Sequence, residues 1–401
     1  MTRRIAILGS TGSIGTNALR VIEVLGPEYQ VVALSAHSQI QLLAEQARRH
    51  RPKVVAVTGE GLAGRLRPLL EGLDVEVLTG PGGLVQMVQR EDVDVVLSAV
   101  VGAAGLPAVL AAASAGKRLA IANKEPLVVA GQLLTETARA HGSTILPVDS
   151  EHSAVFQALQ AGRPEEVQRI ILTGSGGPFR KARPADLQQV TREQALAHPV
   201  WTMGPKITID SATMMNKALE IIEARWLFDV PVDAIEVLIH PESIVHSLVE
   251  FVDGSVVAQM GYPDMGLPIQ YALTYPQRVK GRSKCLRLED LGELTFESPH
   301  PETFRALSLA YQVARAGGLA PAVFNASNEA AVAAFLAGQI TFPKILGLIE
   351  HCLDTHVAQT GVTLEGLLEA DAWARREVQT KIKTQDVKIK DAIPASKTHA
   401  R

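Results

Sequence analysis

Cysteine is nearly absent from this 401-residue chain: Cys285 and Cys352 are the two, far apart and in no CxxC or Cys/His cluster. That excludes a disulfide framework or a zinc site as an organising element. Two buried free thiols in a reducing compartment is the expectation. An excess of charge of one sign is also missing. Lys and Arg number 39 against 42 Asp and Glu, for a net charge of −3, so no global field draws the protein to nucleic acid or an anionic membrane. Long hydrophobic runs are reduced to one. Val95 to Gly116 carries no charged residue, but Gly102, Gly105 and Pro107 interrupt it and Ser98 and Ser114 dilute it. A buried strand and a buried helix explain that stretch better than a membrane span. No signal or transit peptide is read in the opening residues. The expected location is cytoplasmic, with a plastid precursor left open if the chain is a mature form. No internal repeat is seen.

What is present is alternation. Apolar runs at Ile5–Leu8, Val31–Leu34, Val54–Val57, Val93–Ala99, Leu119–Ala122 and Thr144–Val148 are separated by helical patterns such as Thr16–Leu25 and Ile40–Arg49. This predicts a parallel sheet with helices on both faces over residues 1–149. The texture then changes. Strands are expected at Gln168–Thr173, Ile235–Ile239, Ser247–Phe251 and Val256–Met260, with a long helix at Ala212–Phe228 among them. Residues 150–275 therefore read as an α+β domain. Residues 276–300 lack periodicity and read as a linker. Residues 301–380 read as a small α-helical domain. Residues 381–401 hold six Lys/Arg against two Asp and read as a solvated tail.

Gly9-Ser-Thr-Gly12-Ser-Ile-Gly15 follows the first strand and opens a helix. Glycines there let the backbone turn tightly and let a pyrophosphate approach a helix N-terminus, so a dinucleotide site is the reading. The alternative is a purely structural turn. An NAD site usually places a carboxylate after the second strand to hold the ribose 2′-hydroxyl. Here that stretch is Ser35-Ala36-His37-Ser38. Nothing in it repels a 2′-phosphate, which favours NADP.

Asp149-Ser150-Glu151-His152 follows the last strand of the first half. Two carboxylates at that spacing on extended chain share a face and suit a hard cation. A capped, solvated helix start is the competing reading. In Asp210-Ser211-Ala-Thr-Met-Met-Asn216-Lys217-Ala-Leu-Glu220, the last three named residues lie three and four apart on one helix face. Ser211 or Asp210 can cap that helix. Ser, Asn and Lys at a helix start suit a phosphate, and Glu220 suits a third metal ligand. An exposed Lys–Glu pair with a cap is the plain alternative. Asn123-Lys124-Glu125 follows a buried strand. Ser175-Gly176-Gly177-Pro178 offers backbone N–H groups to an anion. His198-Pro-Val-Trp201-Thr-Met203-Gly204-Pro205 reads either as a lid over a substrate or as a loop anchored by a core Trp.

The order of these motifs is more specific than any one of them. GSTGSIG, NKE, VDSEHSA, LTGSGGPF, HPVWTMGPKITIDSATMMNKALEIIEA, HPESIVHSLVEF and GLAPAVFNASNEAA together resemble the 1-deoxy-D-xylulose 5-phosphate reductoisomerase family, from about residue 4 to residue 380. The resemblance implies a V-shaped homodimer subunit with an N-terminal Rossmann-like NADPH domain, a catalytic and dimerisation domain with a lid near 196–206, and C-terminal helices. It implies Asp149, Glu151 and Glu220 as ligands of Mg²⁺ or Mn²⁺, with Co²⁺ as a further option. Lys124, Ser150, Ser175, His198, Ser211, Asn216 and Lys217 would hold a phosphorylated sugar together with Glu151 and Glu220. Lys124, His198 and the three carboxylates would carry the catalysis. Thr11, Gly12, Ser13, Ile14, Asn123, Glu125 and Gly204 would contact NADPH, and Trp201 and Met203 would form the lid. After the second strand the family usually shows Gly, a variable and often basic residue, then Asn. This chain has Ala36, His37 and Ser38 at those places.

The implied chemistry is rearrangement of the sugar carbon skeleton, thought to proceed by retro-aldol cleavage and re-addition, then hydride transfer from NADPH. Two other readings stand beside it. A plain NADP-linked dehydrogenase would turn over regardless of EDTA. A nucleotide-sensing protein would bind NADPH without oxidising it.

Overall fold

The computed structural model describes residues 2–357 and 362–391. Seven strands form the first sheet: β1 (Arg3–Leu8), β2 (Tyr29–Ala36), β3 (Val54–Val57), β4 (Glu76–Thr79), β5 (Val95–Ser98), β6 (Arg118–Ile121) and β7 (Ile145–Pro147). All pairings are parallel, in the order β4-β3-β2-β1-β5-β6-β7. The chain leaves β1 in one direction through β4, then returns to the other side of β1 at β5. Such a reversal opens a crevice beyond the strand C-termini. Strand β4 is absent from the sequence reading. Its four residues sit at the sheet edge and are largely unburied, so they carry little hydrophobic signal.

Four strands form the second sheet: β8 (Val167–Gly174), β9 (Ile235–Ile239), β10 (Val245–Phe251) and β11 (Val256–Met260), in the order β11-β10-β8-β9. The β8–β9 pair is parallel and the other two are antiparallel. Four helices follow: Arg305–Ala316, Ala320–Leu336, Phe342–Thr355 and Leu364–Asp391. The α/β, α+β and all-helical parts therefore stand as the sequence implied. No helix among the described residues is long and apolar enough to cross a membrane.

Two hydrophobic cores hold these layers. One lies on a single face of the first sheet, and the helix Gly266–Thr274 returns from the second half to pack into it through Ile269, Ala272 and Leu273. The other runs from the opposite face through the second sheet into the C-terminal helices. Burial at roughly 25 cal/mol per Å² of apolar surface makes these continuous cores the main force fixing the crevice.

Three expectations are corrected. The helix expected over Ala212–Phe228 starts at Met215, and Ala212 ends a separate helix, Pro205–Ala212, because Met214 turns left-handed with φ of 59°. Neither Asp210 nor Ser211 caps the helix that starts at Met215; both lie in the last turn of Pro205–Ala212. The tail expected from residue 381 is helical as far as Asp391, with Ile382 buried; residues 392–401 lie outside the described residues. Of the two thiols, Cys352 is buried but Cys285 is exposed.

Candidate active site

Adjacent strands bring the polar turns together. β6 and β7 are hydrogen-bonded neighbours, so Lys124 after one and Asp149 after the other emerge side by side. Asp149 sits at the N-cap of the helix Ser150–Ala158, and its side chain accepts from the Glu151 N–H. The helix start is therefore capped by Asp149, as one of the two readings had it. The two carboxylates converge through a helix start, not through extended chain. Glu220 comes from the second turn of Met215–Phe228 and is fully buried. Oxygens of Asp149, Glu151 and Glu220 all lie within 4.8 Å of one another.

Crowding three carboxylates in a buried site is unfavourable without cations. Two ammonium groups answer it. Lys124 Nζ lies 2.9 Å from Asp149 and 2.9 Å from Glu220. Lys217 Nζ lies 2.9 Å from Glu151 and also contacts Glu220. Gly174 makes room for that lysine, since a Cβ there would sit 2.9 Å from Lys217 Cε. Two positive charges against three negative leave the trio short by one. Burial, then Glu151, push the Glu220 carboxyl up despite both lysines. Lys124 stays protonated: burial opposes its charge, but Asp149 and Glu220 outweigh it and raise the pKa well above the ordinary value. Behind the trio, His152 Nδ1 lies 3.2 Å from Glu223 and 3.5 Å from Asp149. Burial would lower this imidazole, yet Glu223 and Asp149 raise it to about 9.

Lys124, Asp149, Glu151 and Lys217 line one side of a cavity of about 540 Å³, together with Ser150, Ser175, His198, Ser211, Asn216 and Met214, while Glu220, His152 and Glu223 are buried and do not line it. Trp201, Met203 and Gly204 also line it, from a segment without helix or strand. His198 Nδ1 accepts from the N–H groups of Val200 and Trp201, so its Nε2–H donates to Ser175 Oγ at 3.0 Å. Burial lowers the His198 pKa, keeping that tautomer neutral. The Gly176-Gly177 turn packs on the Ser211 backbone, where a Cβ on Gly177 would lie 2.7 Å from the Ser211 carbonyl oxygen.

The glycine turn opens onto the same cavity through Ser13 and Ile14. Gly9 is left-handed at φ 82°, and a Cβ on Gly15 would lie 2.3 Å from the Gly9 carbonyl oxygen. The helix Ser13–Leu25 begins at Gly12 with no side-chain cap, leaving its first N–H groups free for an anion.

Sequence comparison decides the family. Its profiles match residues 5–131 (1-deoxy-D-xylulose 5-phosphate reductoisomerase), 145–228 (the C-terminal domain of that enzyme) and 260–377 (DXP reductoisomerase C-terminal domain). The chain belongs to the 1-deoxy-D-xylulose 5-phosphate reductoisomerase family. It is 51% identical to the reductoisomerase of Chloroherpeton thalassium, covering 94% of this chain and 98% of the relative. Against that of Symbiobacterium thermophilum it is 53% identical, over 94% and 97%. Among solved structures, the Zymomonas mobilis reductoisomerase in complex with NADPH superposes with a TM-score of 0.89 at 42% identity, over 95% of this chain and 99% of that one. A reductoisomerase in complex with NADPH, fosmidomycin and magnesium gives 0.91 at 42% identity, over 96% and 99%.

Not every residue singled out in the sequence faces the cavity. Asn123 is buried and accepts from Ser98 Oγ. Glu125 is buried and turned toward Lys206. Thr11 and Gly12 are not among the residues that line the cavity. Ala36 is buried at the end of β2, and His37 and Ser38 are exposed, with His37 Nδ1 3.0 Å from Thr58 Oγ1. Conversely, Asn17, His246 and Asp264 line the cavity and were missed. His152 was visible in the sequence, three residues after Asp149, and its spacing is the signal that locates it. Glu223 gave no local signal beyond its place one turn after Glu220.

Proposed function

We propose that this chain converts 1-deoxy-D-xylulose 5-phosphate to 2-C-methyl-D-erythritol 4-phosphate, using NADPH and Mg²⁺ or Mn²⁺, as an early step of non-mevalonate isoprenoid synthesis. The observation that carries the reading is the under-neutralised trio Asp149, Glu151 and Glu220 within 4.8 Å, two of which line the same cavity as Ser13 and Ile14 of the glycine turn. An all-oxygen donor set short of positive charge fits a hard divalent cation. Such a cation supplies Lewis acidity toward the substrate's ketone and hydroxyl oxygens. NADPH supplies the hydride, and the crevice at Gly9–Gly15 fits its pyrophosphate. Relatives crystallised with NADPH, fosmidomycin and magnesium support both assignments.

This chain's residues then divide the work. Asp149, Glu151 and Glu220 hold the cation. With the trio neutralised, Lys124 and Lys217 are released to face substrate. Lys124, held protonated by Asp149 and Glu220 in the metal-free site, donates to a reacting oxygen. Ser175, Ser211, Asn216, Lys217 and the Nε2–H of neutral His198 bind the phosphate and hydroxyl groups, with Ser150 beside the trio. Trp201 and Met203 close over the bound sugar and exclude water while the aldehyde awaits hydride. Ser13, Ile14 and Gly204 lie where the cofactor passes into the cavity. His37 and Ser38 lie at the end of β2, where its 2′-phosphate would come. We place the enzyme in the cytoplasm as a homodimer. The test is NADPH oxidation with this sugar phosphate, with and without Mg²⁺. Oxidation only when both are present is expected. EDTA-insensitive oxidation would point to a plain dehydrogenase, and binding without oxidation to a sensor.

A further inference from the structure

A second buried charge cluster lies behind the cavity, on the helix Pro205–Ala212 that follows the lid segment. Ile207 and Ser211, four residues apart, line the cavity. Lys206 and Asp210, also four apart, occupy the neighbouring stripe. Lys206 Nζ lies 2.8 Å from Asp210 Oδ2 and 3.1 Å from Glu125 Oε1. Asp210, 1% exposed, uses its other oxygen to accept from Asn328 Nδ2 at 2.9 Å. Asn328 is fully buried on Ala320–Leu336, in the C-terminal helices. Glu125 directly follows Lys124. Three parts of the molecule therefore meet on one stripe of an eight-residue helix.

A helix this short does not hold itself. Isolated helices below about 12 residues are marginal in water, and Gly204 offers this one no side-chain cap. Its rotation about its own axis must be set by tertiary contacts. The cavity-facing stripe offers few of these, since it borders open space. Buried Ile209 and Ala212 supply apolar ones, and the Lys206–Asp210 stripe supplies the directional ones. Burial opposes charge on Lys206, but Asp210 and Glu125 outweigh it and keep the ammonium protonated.

We propose that Lys206 and Asp210 are positioning residues: pinned to Glu125 and Asn328, they fix the rotation of Pro205–Ala212, and with it Ser211 and the C-terminal end of the lid. This rests on the substrate role proposed for Ser211 and the lid role proposed for Trp201 and Met203. Neither Lys206 nor Asp210 touches the metal trio in the structure, so the effect belongs to substrate and lid and not to the cation.

The test compares Lys206→Met, Asp210→Asn and Lys206→Arg with the native enzyme. Readouts are the KM for the sugar phosphate, the Mg²⁺ half-saturation point, Tm, and the rate at which a protease cuts residues 197–204 without ligand. Losing a charge-assisted contact predicts a KM raised about tenfold or more in the first two variants. Their loop is cut faster, their Mg²⁺ requirement is unchanged, and Lys206→Arg restores KM and the native cutting rate. If Tm falls while KM and cutting stay native, the cluster is merely structural and the proposal fails. Should Lys206→Met prove insoluble, the isosteric Asp210→Asn carries the same two readouts. The cutting rate needs no turnover, so it separates failure of this proposal from failure of the functional reading.

Discussion

The glycine turn and the acidic pocket face each other across one cavity, yet they are built on opposite principles. At Gly9–Gly15 the shape is written into seven residues, a left-handed Gly9, a Gly15 with no space for a Cβ and a helix start left uncapped, and Ser35 and Gln46 hold it from the adjoining strand and helix. The turn is preformed and needs no rearrangement to receive an anion. The pocket of Asp149, Glu151 and Glu220 draws on segments far apart in the chain and sets two lysines against three carboxylates. Under the function proposed above, one region is finished before ligand arrives, whereas the other is completed by it. That difference predicts separable phenotypes.

The largest effect should come from Glu220→Gln, which removes a fully buried carboxylate that the proposed function assigns to the cation. Loss of Lewis-acid stabilisation costs several kcal/mol, so kcat should fall about 100-fold or more. NADPH binding, followed by fluorescence, should stay near native. A joint loss of both would erase the distinction between the two regions.

Gly15→Ala attacks the other side. Its added carbon would lie 2.3 Å from a carbonyl oxygen and force the turn open. The KM for NADPH should rise about tenfold or more while the Mg²⁺ response keeps its midpoint; contacts of an anion with aligned N–H groups support that size. A native KM would mean the turn does not carry the pyrophosphate.

Lys217→Ala should raise the sugar-phosphate KM by about tenfold, for loss of one charge-assisted phosphate contact. An unchanged KM would place the phosphate elsewhere.

The smallest effect concerns His198. Its Nδ1 accepts two N–H groups, so protonation there breaks the lid's own turn. The folded pKa is lowered by burial. The ordering it contributes is therefore present above the ordinary imidazole value, about 6.5, and lost as pH falls through the lower folded value. Proteolysis of residues 197–204 should be flat from pH 7 to 8 and quicken below about 6. A flat rate down to pH 5 would show that the lid does not depend on this imidazole.

The same contrast explains what was legible in the sequence. Alternating strands and helices and the GSTGSIG turn are local patterns, and the first sheet follows from them. The edge strand Glu76–Thr79 lacked the burial that makes a strand visible. The break at Met214 left no trace, because a methionine in left-handed backbone breaks the usual preference for Gly or Asn and is held by its surroundings. The pocket was legible only as a set of separate motifs. Lys124 and Glu220 are 96 positions apart, and their 2.9 Å contact follows from strand order and helix packing, which spacing does not encode. Asn123 and Glu125 show the converse: two residues flanking a cavity lysine are spent on Ser98 and Lys206, since adjacent side chains at a helix start diverge.

The central claim is that cofactor binding is preformed while the catalytic pocket is completed by the cation. It is tested most directly by titrating NADPH into the enzyme in EDTA and in saturating Mg²⁺, and then following NADPH oxidation with 1-deoxy-D-xylulose 5-phosphate under both conditions. The account predicts closely similar NADPH affinities and turnover only with Mg²⁺. Turnover in EDTA, or NADPH binding that appears only when Mg²⁺ is added, would contradict it.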